Sequence, residues 1–260
     1  MMRGLRWPIL GVMLAIAITS TMDARGLFNF SALPLAPLLC LLSYLQRLPA
    51  GTVGFRWGER RCYLPAVLYP LGAATVLIAA AGMAGAMDLS HVDWKKTALR
   101  LVLLALATAL GAIITEEGFF RGWLWASLER AGLPFGQIVI WTSIAFSLWH
   151  WSAVMLNTGF EPPRSQVPVY MINVAVLGAI WGLLRWHSGS VIVTSVSHGV
   201  WNAMAYVLFG FGSKAGVLGI RDTGIYGPEV GVYGLALNLA FLAALWLWYR
   251  RLANQTAGET

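Results

Sequence analysis

The stretch ALRLVLLALATALGAIITEEGFFRG, residues 98–122, decides the fold class of this chain. Residues 101–115 carry no charge, and two adjacent glutamates, Glu116 and Glu117, follow them at once. A charged side chain inside a membrane span costs about 2.5–3.5 kcal/mol even on conservative scales. Two carboxyl groups placed directly after a long apolar run therefore indicate a membrane helix that carries a functional site.

The composition of the whole chain agrees with a membrane protein. Of its 260 residues, 58% are hydrophobic and 11% are charged, and its mean hydropathy is +0.68. Soluble domains carry about a quarter charged residues. We therefore predict an all-α, polytopic protein that forms one integral membrane domain over residues 1–260, with its motif-bearing core at about 112–205.

Eight apolar segments are long enough to cross a bilayer, which requires about 20 residues of helix. A helix satisfies its own backbone groups where no water is available, so we expect each segment to be helical. The predicted limits are 7–22, 28–46, 64–87, 98–115, 134–155, 167–186, 190–209 and 231–249.

The basic residues predict the orientation. The net charge is +7, and most Lys and Arg residues fall on one side if Arg3 and Arg6 lie in the cytoplasm. This positive-inside bias predicts that both termini are cytoplasmic. The first segment resembles a signal peptide but lacks a convincing cleavage site, so a retained span is preferred over a cleaved signal. No basic run with interleaved aromatic residues indicates nucleic-acid binding.

Three segments outside the spans carry further expectations. Residues 118–132 form either an interfacial helix or a bent continuation of the fourth span. The glycine-rich loop 210–230 is more typical of a solvated connector than of a segment that contacts a substrate. His91 and His187 are interpreted as solvated loop residues.

Glu117 and Arg121 are four residues apart, so they share one face of a helix and can form an ion pair. Glu116 points about 100° away from Glu117 and is free for a different role. A poorly solvated carboxyl group is suited to act as a general base near neutral pH. The structural alternative is an interfacial glutamate pair with a snorkelling arginine.

Two more motifs place polar groups inside apolar segments. His150 ends the stretch FSLWH, one helical turn after Phe146. His198 and Asn202, in HGVWN, are also four apart and share a face, and both can donate hydrogen bonds to an oxyanion. The polar residues of either motif could instead form hydrogen bonds between helices, each worth about 1 kcal/mol.

Together the motifs EExxxR, FxxxH and HxxxN, in this order on three membrane segments, form a specific combination. The chain thereby resembles the CAAX-protease and bacteriocin-processing family of intramembrane proteases over about residues 112–205. The resemblance implies that Glu116, with His150, activates a water molecule. It implies that His198 and Asn202 stabilise the oxyanion, and that Glu117 and Arg121 support the site. Phe146 is the aromatic member of the second motif.

The resemblance favours a peptidase that uses no metal or other cofactor. A zinc alternative stays open, because Glu116, His150 and His198 also make up a His₂Glu ligand set. The predicted topology contains a conflict as well. It places Glu116 near the cytoplasmic end of the fourth span, whereas His150 lies towards the far end of the fifth. This conflict is reduced if the fifth span starts deeper in the membrane, or if residues 116–130 enter the membrane.

The expected activity is hydrolysis of a peptide bond in a membrane-associated protein or peptide, such as a bacteriocin-like precursor or a C-terminal anchoring segment. The style of the chain suggests a bacterial cell membrane, with the lipid bilayer and the substrate as its partners. Two other classes stay open: a transporter with an intramembrane proton relay, and a membrane scaffold that uses the same residues as a structural network.

Overall fold

The computed structural model describes residues 4–156 and 158–257, and their structure is almost entirely helical. Arg3, one of the basic residues on which the predicted orientation depends, lies outside the described residues. The α-helices are α1 Arg6–Ala24, α2 Leu35–Leu45, α3 Ala50–Val53, α4 Tyr63–Met83, α5 Trp94–Ile114, α6 Trp125–Arg130, α7 Phe135–Trp149, α8 Trp151–Met155, α9 Val167–Ser188, α10 Val191–Ala203, α11 Thr223–Tyr226 and α12 Val232–Ala257.

Eight helical segments in the described part of the chain are long and apolar enough to span a membrane. The predicted all-α, polytopic fold with about eight transmembrane helices is confirmed. The segments are Arg6–Ala24, Phe28–Leu45, Arg60–Met83, Trp94–Arg130, Phe135–Met155, Arg164–Ser188, Val191–Phe209 and Val232–Arg251. Seven of them agree with the predicted limits to within a few residues, and the fourth does not.

The fourth segment continues through the glutamate pair to Arg130. Its 37 residues would extend about 55 Å as one straight helix, far more than the roughly 30 Å of a hydrocarbon core. The helix is interrupted at Thr115, whose φ of −108° and ψ of −104° are not helical. A turn of π-helix then runs from Gly118 to Leu124 and leads into α6.

Residues 117–128 are all buried. An interfacial helix is therefore the wrong one of the two predicted arrangements, and the bent continuation is confirmed. Large aromatic side chains, those of Phe119, Phe120, Trp123 and Trp125, fix this segment among the other helices. The segment can lie in the protein interior because its aromatic residues are packed there and its buried charges, Glu117 and Arg121, neutralise each other.

Helix α10, which carries the third motif, packs closely against α5. The contact is tight at Gly199, where an added Cβ atom would lie 2.4 Å from the carbonyl oxygen of Ala105 and 2.8 Å from Ala109. The absence of a side chain at Gly199 thus lets the two backbones approach. The opposite face of α5 exposes Leu99, Leu103, Leu106 and Leu110, as expected for a surface in contact with lipid.

One prediction about a histidine is wrong. His187 lies in the last turn of α9 and not in a loop. Its ring is stacked on Tyr249 of α12, and its Nε2 atom is buried. The serine and glycine after His187 suggested a turn, but α9 continues to Ser188. His91 is exposed, as predicted.

Candidate active site

Three polar side chains from three spans meet at one point inside the helical bundle. Oε2 of Glu116 lies 3.9 Å from Nε2 of His150 and 3.8 Å from Nε2 of His198. Two of these residues lie at breaks in their helices. Glu116 follows the interruption at Thr115, and His150 lies between α7 and α8. Glu116 and His150 therefore meet, although the predicted topology places them towards opposite ends of their spans.

The hydrogen bonds of the two imidazole rings assign their protons. Nδ1 of His150 lies 2.8 Å from the carbonyl oxygen of Phe146, which can only accept a hydrogen bond. Nδ1 of His198 lies 3.1 Å from Oε1 of Glu117, a carboxylate acceptor. Each Nδ1 atom therefore carries the proton, and in the neutral form each Nε2 atom presents its lone pair towards Glu116.

Glu117 and Arg121 form the ion pair that their spacing predicts. Nη1 of Arg121 donates to Oε1 of Glu117 at 3.1 Å, and both side chains are fully buried. The arginine is also placed over the ring of Phe146, 4.1 Å from its centre. The same Oε1 atom of Glu117 accepts from His198, so the ion pair fixes the orientation of that imidazole.

Aromatic rings hold the two histidines from the sides. The indole of Trp181 is stacked on His198, with ring centres 4.2 Å apart. The ring of Phe146 meets His150 edge-on at 4.5 Å. These contacts restrict the rotation of both imidazoles. Phe146 thus contacts both His150 and Arg121, which gives the aromatic residue of the second motif a packing role.

Asn202 lies one turn after His198 and lines the same cavity, which has a volume of about 400 Å³. Glu116, His150, His198 and Asn202 therefore share one cavity, while Glu117 and Arg121 lie behind its wall. The structure brings together all seven residues that the sequence analysis selected. Their roles in a reaction stay predictions.

Two further carboxyl groups that line this cavity were not selected from the sequence. Asp23 comes from the end of α1, and Glu229 comes from the loop before α12. Phe211, in strand β1 (Gly210–Phe211), lines the cavity too, and β1 pairs antiparallel with β2, Lys214–Ala215. The loop 210–230 is therefore more than a solvated connector, because it forms part of the cavity wall. No local pattern distinguishes Asp23 or Glu229 from a solvated acid at a helix end.

The geometry also bears on the zinc alternative. Four ligands at 2.0–2.1 Å around a tetrahedral ion lie roughly 3.3 Å from each other. The Glu116–His150 and Glu116–His198 separations of 3.9 and 3.8 Å are wider than this. In the described part of the chain, no three His, Cys, Asp or Glu side chains lie close enough together to hold a metal ion.

A family comparison agrees with this arrangement of motifs. Residues 98–204 match the family model of the type II CAAX prenyl endopeptidase Rce1-like proteins. Over these residues the chain is similar to the CAAX-protease family, and the match supports the resemblance that the motifs indicate. The matched segment is less than half of the chain, but it includes all seven site residues from Glu116 to Asn202. Neither a curated protein nor a solved structure matches the chain. This similarity supports a peptidase, and the eight apolar helical segments of the described residues support an integral membrane protein.

Proposed function

We propose that this protein is an intramembrane endopeptidase that hydrolyses a peptide bond in a membrane-associated protein or peptide, with a water molecule activated by Glu116. One observation carries the proposal: in one cavity, Nε2 of His150 and Nε2 of His198, from two other spans, both lie within 3.9 Å of Oε2 of Glu116. These gaps are too long for direct hydrogen bonds. A single water molecule about 2.8 Å from each atom bridges such gaps.

In the first step the water oxygen attacks the carbonyl carbon of the scissile bond. The carboxylate of Glu116 takes a proton from the water, and the lone pair on Nε2 of His150 accepts a hydrogen bond from the other O–H group. The carbonyl π electrons move to its oxygen and form an oxyanion. The Nδ2 amide of Asn202 can donate to that oxyanion.

The hydrogen bond from His198 to Glu117 limits how His198 can stabilise the oxyanion. Its Nδ1–H group is directed at Glu117, so Nε2 can donate to the oxyanion only when the ring is an imidazolium. That cation would lie between the carboxylates of Glu117 and Glu116. In the second step the carbon–nitrogen bond breaks, and the protonated Glu116 returns its proton to the leaving amine. The products are a carboxylic acid and an amine, and Glu116 is restored.

The test compares Glu116→Gln with a matched control on the same helical segment. Glu129→Gln is suitable, because Glu129 is exposed and its Oε1 atom, which accepts from Trp125 at 2.7 Å, is retained in glutamine. A library of apolar peptides in phospholipid vesicles is incubated with each protein, and mass spectrometry identifies new termini. We expect cleavage by the wild type and by Glu129→Gln, and none by a folded Glu116→Gln. Equal cleavage by Glu116→Gln would overturn the proposal.

The same assay distinguishes a zinc-dependent mechanism from the proposed metal-free one. Elemental analysis of the purified protein is combined with the cleavage assay in the presence and absence of a chelator. Activity that resists the chelator supports a water molecule that is activated by Glu116 without a metal ion. Stoichiometric zinc, with activity that is lost to the chelator and restored by zinc, would make Glu116, His150 and His198 metal ligands and refute this mechanism. Cleavage that depends on Glu116 would also contradict the transporter and scaffold alternatives.

A further inference from the structure

The cavity that contains the proposed reaction centre has an unbalanced charge. Three carboxyl groups line it, those of Asp23, Glu116 and Glu229, and none of its described lining residues is a lysine or an arginine. Arg121 lies behind the wall and is already paired with Glu117. A cavity lined by acidic groups in a medium of low dielectric constant concentrates a negative potential in its interior.

Asp23 is a deeply buried acid with an incomplete set of partners. Asp23 is 2% exposed to solvent. Ser152 donates to Oδ2 at 2.6 Å, whereas Oδ1 has no hydrogen-bond partner among the described residues. No lysine or arginine in the described part of the chain forms an ion pair with it. A buried carboxylate without a compensating cation is costly, so a cation in the cavity beside it would be stabilised.

Glu229 is held in place from two sides. Trp201 donates from Nε1 to its Oε1 atom at 3.1 Å. Asn173 donates to the carbonyl oxygens of residues 228 and 229 at 2.7 and 2.9 Å. Asn238 donates in turn to Oδ1 of Asn173 at 2.7 Å, and Tyr69 donates to Oδ1 of Asn238 at 2.5 Å.

This buried network connects α4, α9 and α12 to the loop that carries Glu229. The carboxyl group is therefore preorganised at the cavity wall, and binding a ligand there requires no ordering of a flexible side chain. Burial raises the pKa of Glu229 to about 7. A cation nearby favours its ionised form, so Glu229 gains charge when a cationic ligand enters.

We propose that this cavity binds a cationic side chain, lysine or arginine, close to the bond that is cleaved. The inference rests on the proposed endopeptidase function and adds the chemical class of its substrate. An acidic side chain at the same place would meet the carboxyl groups of Asp23 and Glu229, and like-charge contacts of this kind cost several kcal/mol.

The experiment measures charge preference around the cleavage sites. A peptide library with randomised charged positions is reconstituted in phosphatidylcholine vesicles, whose zwitterionic headgroups do not attract basic peptides. The frequencies of lysine and arginine within four residues of each cut are compared with those of aspartate and glutamate. We expect wild-type cuts to be enriched in basic over acidic residues by roughly tenfold or more, the equivalent of about 1.4 kcal/mol.

Two variants connect this preference to the cavity. Asp23→Asn and Glu229→Gln each keep an oxygen acceptor for Ser152 and Trp201, and each should reduce the enrichment several-fold. Asp222→Asn is the matched control, since Asp222 is an exposed acid in the same loop as Glu229, and it should leave the enrichment unchanged. Acetylating the lysine of the best peptide should lower its cleavage by the wild type to a similar extent, a result that depends on no variant.

The outcomes separate the two proposals. Cleavage without basic enrichment, or enrichment that survives both cavity variants, would overturn the charge inference alone. Cleavage that persists in Glu116→Gln would overturn the proposed endopeptidase mechanism, whatever the charge preference. Loss of all cleavage in Glu116→Gln, together with reduced enrichment in Asp23→Asn and Glu229→Gln, would support both.

Discussion

His198 and Glu117 share a hydrogen bond of 3.1 Å between Nδ1 and Oε1, and the same oxygen is paired with Arg121. One carboxylate therefore balances a buried arginine and sets the tautomer of an imidazole. Because a single atom serves both, the stability of the bundle and the chemistry of the site are coupled at Glu117. This coupling can be tested by changing the charge without changing the shape.

Glu117→Gln should destabilise the protein by about 3–5 kcal/mol, because it leaves the guanidinium of Arg121 buried without a counter-charge. The double variant Glu117→Gln/Arg121→Met should recover most of this stability, since neither charge is then buried. Its activity should stay low, because His198 has lost its carboxylate partner. Thermal unfolding in detergent and peptide cleavage measure the two effects. Equal stability of Glu117→Gln and the wild type would show that the ion pair is unimportant for the fold.

Asn202→Ala should lower kcat by roughly 10²–10³-fold, the usual effect of removing one oxyanion donor. KM should change little, because the interaction strengthens only as the oxyanion forms. Ser195→Ala is the control, since Ser195 is buried in the same helix and its hydroxyl donates to the carbonyl oxygen of Val191. Steady-state kinetics on one cleaved peptide are sufficient. A loss confined to KM would assign Asn202 to substrate binding instead.

The pKa of Glu229 predicts a pH-dependent change in stability. Burial raises this pKa from 4.5 to about 7, and the hydrogen bond from Trp201 opposes the rise only in part. Between these values the folded protein holds a proton that the unfolded chain has released, so wild-type stability falls as the pH rises through this window.

Glu229→Gln removes the ionisable group, and with it the cost of burying a negative charge at high pH. This cost amounts to at most about 3 kcal/mol. The variant should unfold at a higher temperature than the wild type at pH 8, and at a similar temperature at pH 4.5. Thermal unfolding at several pH values measures the difference. A gap between the two proteins that stays constant with pH would argue against this assignment.

Gly199→Ala should separate α10 from α5, because the new methyl group would meet the backbone of Ala105 and Ala109 on α5. The neighbouring His198 would move away from Glu116, so both stability and cleavage should fall. Gly111→Ala, also on α5, is the matched control, since a methyl group there contacts nothing within 4 Å. Circular dichroism on heating and the cleavage assay report the two effects. Wild-type behaviour of Gly199→Ala would mean that the helices can separate at little cost.

The identity of the site residues could be predicted because the signals are local. The spacing of four between Glu117 and Arg121, and between His198 and Asn202, places each pair on one helical face whatever the rest of the fold does. The number of spans follows from the length of apolar runs. Seven of the eight segments agree with the prediction for this reason.

The missed features depend on contacts between distant parts of the chain. Glu229 reaches the cavity only because Asn173 and Trp201, from two other helices, hold its loop. Asp23 lies at the end of the first span, and nothing in its neighbourhood along the sequence indicates that Ser152 is its partner. The serine and glycine after His187 predict a turn at that position. In the structure α9, which packs against α12, continues past His187 to Ser188.

By itself, the sequence determined that the protein is a helical membrane protein, that three motifs carry its polar groups, and that Glu117 pairs with Arg121. These features follow from the cost of polar groups in lipid and from the 3.6-residue period of the helix. The tertiary structure alone decided the meeting of Glu116 with the two histidines, the direction of the imidazole lone pairs and the excess of carboxyl groups in the cavity. These depend on how helices distant in sequence are bent, rotated and packed together, and a helical repeat places no constraint on that.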